Sequence, residues 1–151
     1  MTTPVKALDL TQRPPRSPRV CLGGIAILPR MIDKGRALLA GTIGDYHYDC
    51  PLDNIVKSFL DFDADALKEQ LAAGKGDGEI FEWLLANSKN KPSPVAIAGW
   101  TDHVNRFVPG DLGMRGFLQD THGKIAPNRT DIVSLFDLLD LDDHVSYGGQ
   151  A

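Results

Sequence analysis

The sequence predicts an all-α fold: a compact array of about six to seven short helices, preceded by an extended Pro/Arg-rich N-terminal arm over residues 1–20. Three observations carry this. Apolar residues recur at helical spacing in segment after segment. Proline and glycine stand where those segments begin and end. No pair of alternating runs reads as paired strands.

The elements follow in order. The arm holds Arg13, Arg16 and Arg19 beside Pro14, Pro15 and Pro18. That three-residue spacing matches polyproline II, which would align the guanidinium groups along one edge. A first helix spans about Leu28 to Ala40, with Pro29 in its first turn and Gly41 at its C-terminal cap. Its apolar arc is Leu28, Met31, Ile32, Gly35, Leu38 and Leu39; Arg30, Asp33 and Lys34 fall opposite, and Arg36 at the border. Thr42 to Asp49 is turn-like. The second helix starts at Pro51 with a stripe of Leu52, Ile55, Val56, Phe59 and Leu60. Asp63 caps a third helix, through Ala73; Asp77 caps a fourth. Asn87 to Ser93 reads as a hinge or lobe boundary. Ser93-Pro94 opens a fifth helix, Asp111 to Thr121 is a weaker sixth, and Thr130 or Asp131 to Leu141 is the last. Residues 142–151 should fray.

At 151 residues the chain fits one domain with a sizeable core, 1–151. The net charge of −4 disfavours general nucleic-acid binding, which needs a basic surface. The charge is uneven: residues 1–50 hold seven Lys/Arg against four Asp/Glu, and residues 101–151 hold four against eight. Two cysteines, Cys21 and Cys50, are too few for a disulfide framework. With no apolar leader and no membrane-length run, the expected location is cytoplasmic, with no membrane partner.

The densest cluster of chemically able side chains is Tyr46-His-Tyr-Asp-Cys-Pro-Leu-Asp53. Cys50 stands at a helix start, where the dipole and free amides favour a thiolate. With His47 it is the candidate catalytic pair of a thiol-dependent enzyme or redox sensor; the plain alternative is a small residue at a cap. His47, Asp49 and Asp53 are weak candidates for metal ligands, but they lack the usual ligand spacing, and Asp53 already suits a first helical turn. No cofactor is expected. An arm folded back on the domain would bring Arg16 and Arg19 toward Arg30, Lys34 and Arg36, with Tyr46, His47 and Tyr48 flanking an anion. The alternative is that these arginines pair with the acidic C-terminal half. Gly74-Lys-Gly-Asp-Gly78 lacks a P-loop ending and reads as a helix cap followed by a second cap. Gly23-Gly24 reads as a turn.

Several ordered segments carry a resemblance. They are Pro15-Arg-Ser-Pro-Arg19, Leu22-Gly-Gly24, Leu28-Pro-Arg-Met-Ile-Asp-Lys-Gly-Arg-Ala37, Gly44-Asp-Tyr-His-Tyr48 and Cys50-Pro-Leu-Asp53, with Gly74-Lys-Gly-Asp77 and Glu82-Trp83 beyond them. Together they resemble the signature of a family of small bacterial proteins that is a domain of unknown function. The resemblance covers roughly residues 8–88 well and the rest loosely. It implies a bacterial, mainly helical protein and carries over no activity, cofactor or catalytic residue.

The leading expectation is a non-catalytic module that binds a small anionic molecule or an acidic peptide through Arg16, Arg19, Arg30, Arg36, Tyr46, His47 and Tyr48. The alternatives are a thiol protein centred on Cys50 and a helical protein–protein interaction module. Oligomeric state is not legible in the sequence.

Overall fold

The computed structural model describes residues 5–151, so the first four residues of the expected arm lie outside the described residues. Seven helices dominate: α1 (Leu28–Ala40), α2 (Pro51–Leu60), α3 (Ala64–Ala72), α4 (Asp77–Asn87), α5 (Pro94–Asn105), α6 (Leu112–Ile125) and α7 (Leu135–Ser146). A two-stranded antiparallel hairpin, β1 (Cys21–Leu22) and β2 (Ile25–Ala26), precedes them. This corrects the reading without strand pairs. Two residues per strand are too few to show alternation, although the Gly23-Gly24 turn was legible. Both glycines have positive φ, +58° and +81°, as a two-residue hairpin turn requires.

Residues 5–20 contain no helix or strand, but they are not a free extended arm. Residues 9–13 form a turn, with Gln12 N and Arg13 N both donating to Asp9 O. Leu10, Pro15 and Pro18 are buried. Leu10 N donates to Thr42 O at 2.8 Å, which ties this segment to the end of α1.

The helix starts follow local chemistry. Asp63, Ser93 and Asp111 accept from the backbone N–H three residues on, as N-caps do. At α4 the cap is Gly76, one residue before the expected Asp77. The Asp77 carboxylate instead faces two arginines, Arg16 and Arg36. The last helix also starts later than its apolar pattern suggests, and it continues to Ser146 rather than fraying. Ser134 and Asp137 form a capping box there, which sets the boundary irrespective of the apolar residues before it.

The main core gathers β2, α1, α2, α3 and α4 with Val104, Leu135 and Phe136. Trp100 stacks on Phe59 with ring centroids 4.4 Å apart. A second, small cluster joins Ala126 and Ile132 to Leu138 and Leu141. The 87–93 segment is pinned to the end of α2 through Lys89 N to Asp61 O and Asn90 N to Leu60 O.

α1 runs through the middle. Leu28, Met31 and Ile32 are fully buried, and Arg30, Asp33 and Lys34 on the opposite face are buried as well. The end of the apolar arc, Leu38 and Leu39, is exposed. Entry to α1 is strained: buried Ile27 has φ +73°, rare for a β-branched residue. Its N–H donates to Pro18 O at 2.9 Å, and its own carbonyl accepts from Met31 N at 3.0 Å. These bonds and the burial hold the turn.

Gly35 marks the closest packing on α1. A Cβ there would lie 2.5 Å from Leu71 Cδ1 and 3.0 Å from the Tyr48 ring. Both neighbours are held, Leu71 in the core and Tyr48 by a bond from its hydroxyl to Ala64 O at 2.6 Å. Gly35→Ala should therefore lower stability by about 1 kcal/mol net, overpacking outweighing the helical gain of alanine. Urea unfolding of the variant checks the sign; greater stability than the parent chain would show that this contact relaxes freely.

Candidate functional site

The charged residues of α1 define the surroundings of the site, because each is held by a different part of the chain. Asp33 accepts from Arg16 at 3.0 Å, and Arg16 also reaches Asp77 at 2.7 Å. Arg36 pairs with Asp77 at 2.9 Å and donates to Lys75 O. Arg30 makes a two-pronged contact with Asp143, at 2.8 and 3.3 Å. Arg19 does not face this group; it pairs with Asp137 and Asp140 on α7. Four of the arginines expected to hold an external anion are thus each engaged by aspartate.

Of the residues singled out in the sequence, the structure brings Arg30, Tyr46, His47 and Cys50 to one cavity. Arg16, Arg19, Arg36 and Tyr48 do not line it. Tyr46 donates to Asp143 Oδ1 at 2.7 Å, and the Arg30 guanidinium sits 5.5 Å from its ring centroid. Burial, and then the neighbouring Asp143 carboxylate, push the Tyr46 phenol well above its ordinary range, so it acts as a donor.

Lys34, expected only as part of a basic group with Arg30 and Arg36, also lines this cavity, and its contact with Cys50 is what the sequence does not show. Its side chain is 3% exposed, and its ammonium donates to Cys50 Sγ at 3.2 Å. The same nitrogen lies 2.9 Å from Asp53 Oδ1, a fully buried carboxylate. That approach is out of hydrogen-bond alignment, and Asp53 Oδ1 has no hydrogen-bond partner among the described residues. The other oxygen, Oδ2, accepts from Asp49 N at 2.9 Å. A sequence signal did exist: Lys34 follows Arg30 by four residues and so shares its face of α1.

Cys50 occupies the N-cap of α2 in extended geometry and makes no side-chain capping bond. The first amides of α2 therefore lack the usual side-chain acceptor. Asp49 is paired with Lys57 at 2.7 Å, and Asp53 faces Lys34. Among the described residues no group of three or more His, Cys, Asp or Glu is arranged to hold a metal ion.

Two cavities meet at Cys50. The first, about 320 Å³, has polar walls from Arg30, Lys34, Asp45, Tyr46, His47 and Asp142. The second, about 590 Å³, is walled mainly by Pro51, Leu52, Met114, Phe117, Leu135 and Leu139. They share His47, Cys50, Leu52, Phe117 and Leu139. Burial, with Asp143 beside it, pushes the Asp142 carboxyl above the usual carboxylate range. α6 roofs the apolar part with Met114 and Phe117, although none of its own residues is fully buried.

The family model for the Domain of unknown function (DUF5069) matches residues 12–145. The chain belongs to this family. The matched region encloses α1 to α6 and every cavity residue named above. No curated protein matches the chain. No helix among the described residues is long and apolar enough to cross a membrane.

The Arg16–Asp77–Arg36 cluster predicts a specific response to acid. Burial raises the Asp77 carboxyl, but Arg16 and Arg36 outweigh it and hold the group below its ordinary value. Its stabilisation is therefore complete above the unfolded-state value near ~4, and is lost as pH falls through the lower native value. Asp77→Asn should cost about 1 kcal/mol near neutral pH, the half-exposed site being screened by solvent. The gap from the parent chain should shrink on acidification toward about pH 3. Urea unfolding at both pH values tests this; a gap independent of pH would remove the assignment.

Proposed function

We propose that the DUF5069 cleft of this chain binds a small amphipathic anion, with its acidic head in the polar cavity and its apolar tail under α6. The observation that carries this reading is the junction of the two cavities at His47, Cys50 and Leu52. On one side are Lys34, Arg30 and the start of α2, whose amides have no side-chain cap. Uncapped amides and the helix dipole favour a carboxylate or phosphate. On the other side are aliphatic and aromatic walls suited to a short hydrocarbon. Aspartates engage Arg16, Arg19 and Arg36, and Asp143 engages Arg30, so the head site rests on the open amides of α2 beside Lys34 rather than on the broad arginine surface first expected.

A second reading, a thiol protein centred on Cys50, is favoured by the Lys34 contact. The Lys34 ammonium donates to the sulfur at 3.2 Å, which sets a cation directly beside it. Cys21 differs, because burial pushes its thiol up and no cationic group donates to it among the described residues.

Thermal-shift measurements with matched ligands test the first reading. Octanoate and octyl phosphate should stabilise the protein, while acetate and octanol should have little effect. At a hundredfold excess over Kd the stabilisation is about 2.7 kcal/mol. That corresponds to a rise of several degrees at roughly 2–4 °C per kcal/mol. Phe117→Ser, at a half-exposed position, should keep the fold and weaken octanoate more than it weakens inorganic phosphate. Equal shifts with octanol and octanoate would refute the anionic head. For the second reading, iodoacetamide at neutral pH should label Cys50 faster than Cys21; the reverse order would refute it.

A further inference from the structure

We propose that Lys34 and Cys50 form a modification site, at which a peroxide-class oxidant joins sulfur to nitrogen in a sulfenamide cross-link. This rests on the thiol reading of Cys50. Lys34 Nζ already donates to Cys50 Sγ at 3.2 Å, and its buried side chain holds it there. Cys50 is half-buried in the wall of the polar cavity, which admits a molecule as small as hydrogen peroxide. Asp53 is the independent observation. Its Oδ1 is fully buried and without a hydrogen bond, and it sits 2.9 Å from the same Nζ. A small rotation of the lysine head group would align that oxygen to accept a proton from it.

The steps balance. The Cys50 thiol attacks the peroxide; an S–O bond forms, the O–O bond breaks, and water leaves with the thiol proton, giving a sulfenic acid. Sulfur is oxidised by two electrons and the peroxide is reduced. The Lys34 ammonium then passes one proton to Asp53. The freed amine attacks sulfur, the S–N bond forms and the S–O bond breaks. The departing hydroxide takes a second proton from nitrogen and leaves as water. The ammonium and carboxylate charges disappear together, so no buried ion is left alone. The product removes the cation from the polar cavity, so an anionic ligand should bind oxidised protein less tightly. Cys21 has no amine hydrogen-bonded to it among the described residues; its thiol donates to Arg19 O at 3.5 Å.

The test is tryptic mapping of the full-length Cys21→Ser protein after hydrogen peroxide treatment, with and without dithiothreitol. The expected result is a linked peptide lacking two hydrogens, loss of cleavage after Lys34, and recovery of both on reduction. Protein oxidised in urea should give no link, because the contact exists only in the fold. Asp53→Asn should cut the rate of linkage by about tenfold or more; if that variant does not fold, the parent mapping decides alone. Cys50 carrying oxygen while trypsin still cuts after Lys34 would overturn the cross-link and leave the thiol reading intact. Cys50 left unoxidised would overturn both.

Discussion

A helix with charges on its buried side has few ways to exist, and α1 is such a helix. Arg30, Asp33 and Lys34 are nearly as inaccessible as Leu28 and Met31 on its other face. Removing an ion from water costs several kcal/mol unless a partner of opposite sign is fixed beside it. Each charge therefore requires a carboxylate or guanidinium at a defined place. Those partners come from the N-terminal segment, from α2 and from α7. Breaking one buried pair would strand the other ion, at about 3–5 kcal/mol. The ion pairs add little net stability over an apolar core of the same shape, but they favour one arrangement of the surrounding segments.

That arrangement produces the cleft. Asp53 draws Lys34 toward the start of α2, and the same ammonium then meets the sulfur at the cap. Asp143 draws Arg30 and Tyr46 together against α7, forming the opposite polar wall. The lip is built differently. α6 carries Gly113, Gly116 and Gly123 and leaves Leu112 largely and Phe117 half exposed. A glycine inside a helix costs roughly 1 kcal/mol relative to alanine. The roof is thus held weakly, while the polar wall is held by buried ion pairs.

Many boundaries were legible because they depend on nearest neighbours. Pro29 with Gly41, Ser93 with Pro94, and Asp63 each mark a helix end through bonds spanning a few residues. Ser134 with Asp137 carries the same kind of signal, yet the apolar phase of Ile132 drew the expected start of α7 too early. The hairpin was half legible, its glycine turn visible and its two-residue strands too short to read. At the site, Cys50 and His47 stood out through local density of reactive groups. The role of Lys34 did not, because its partner atoms belong to another helix.

By itself the sequence determined an all-α protein with α1 to α5 starting within a residue of where they are found, since capping and period are local properties. It also placed the reactive cluster at the head of the second helix. Only the tertiary structure decided which charge meets which. Sixteen residues separate Lys34 from Cys50, and 113 separate Arg30 from Asp143. Over such separations complementary charge is abundant, and the choice among partners is made by how the helices pack, not by any short pattern.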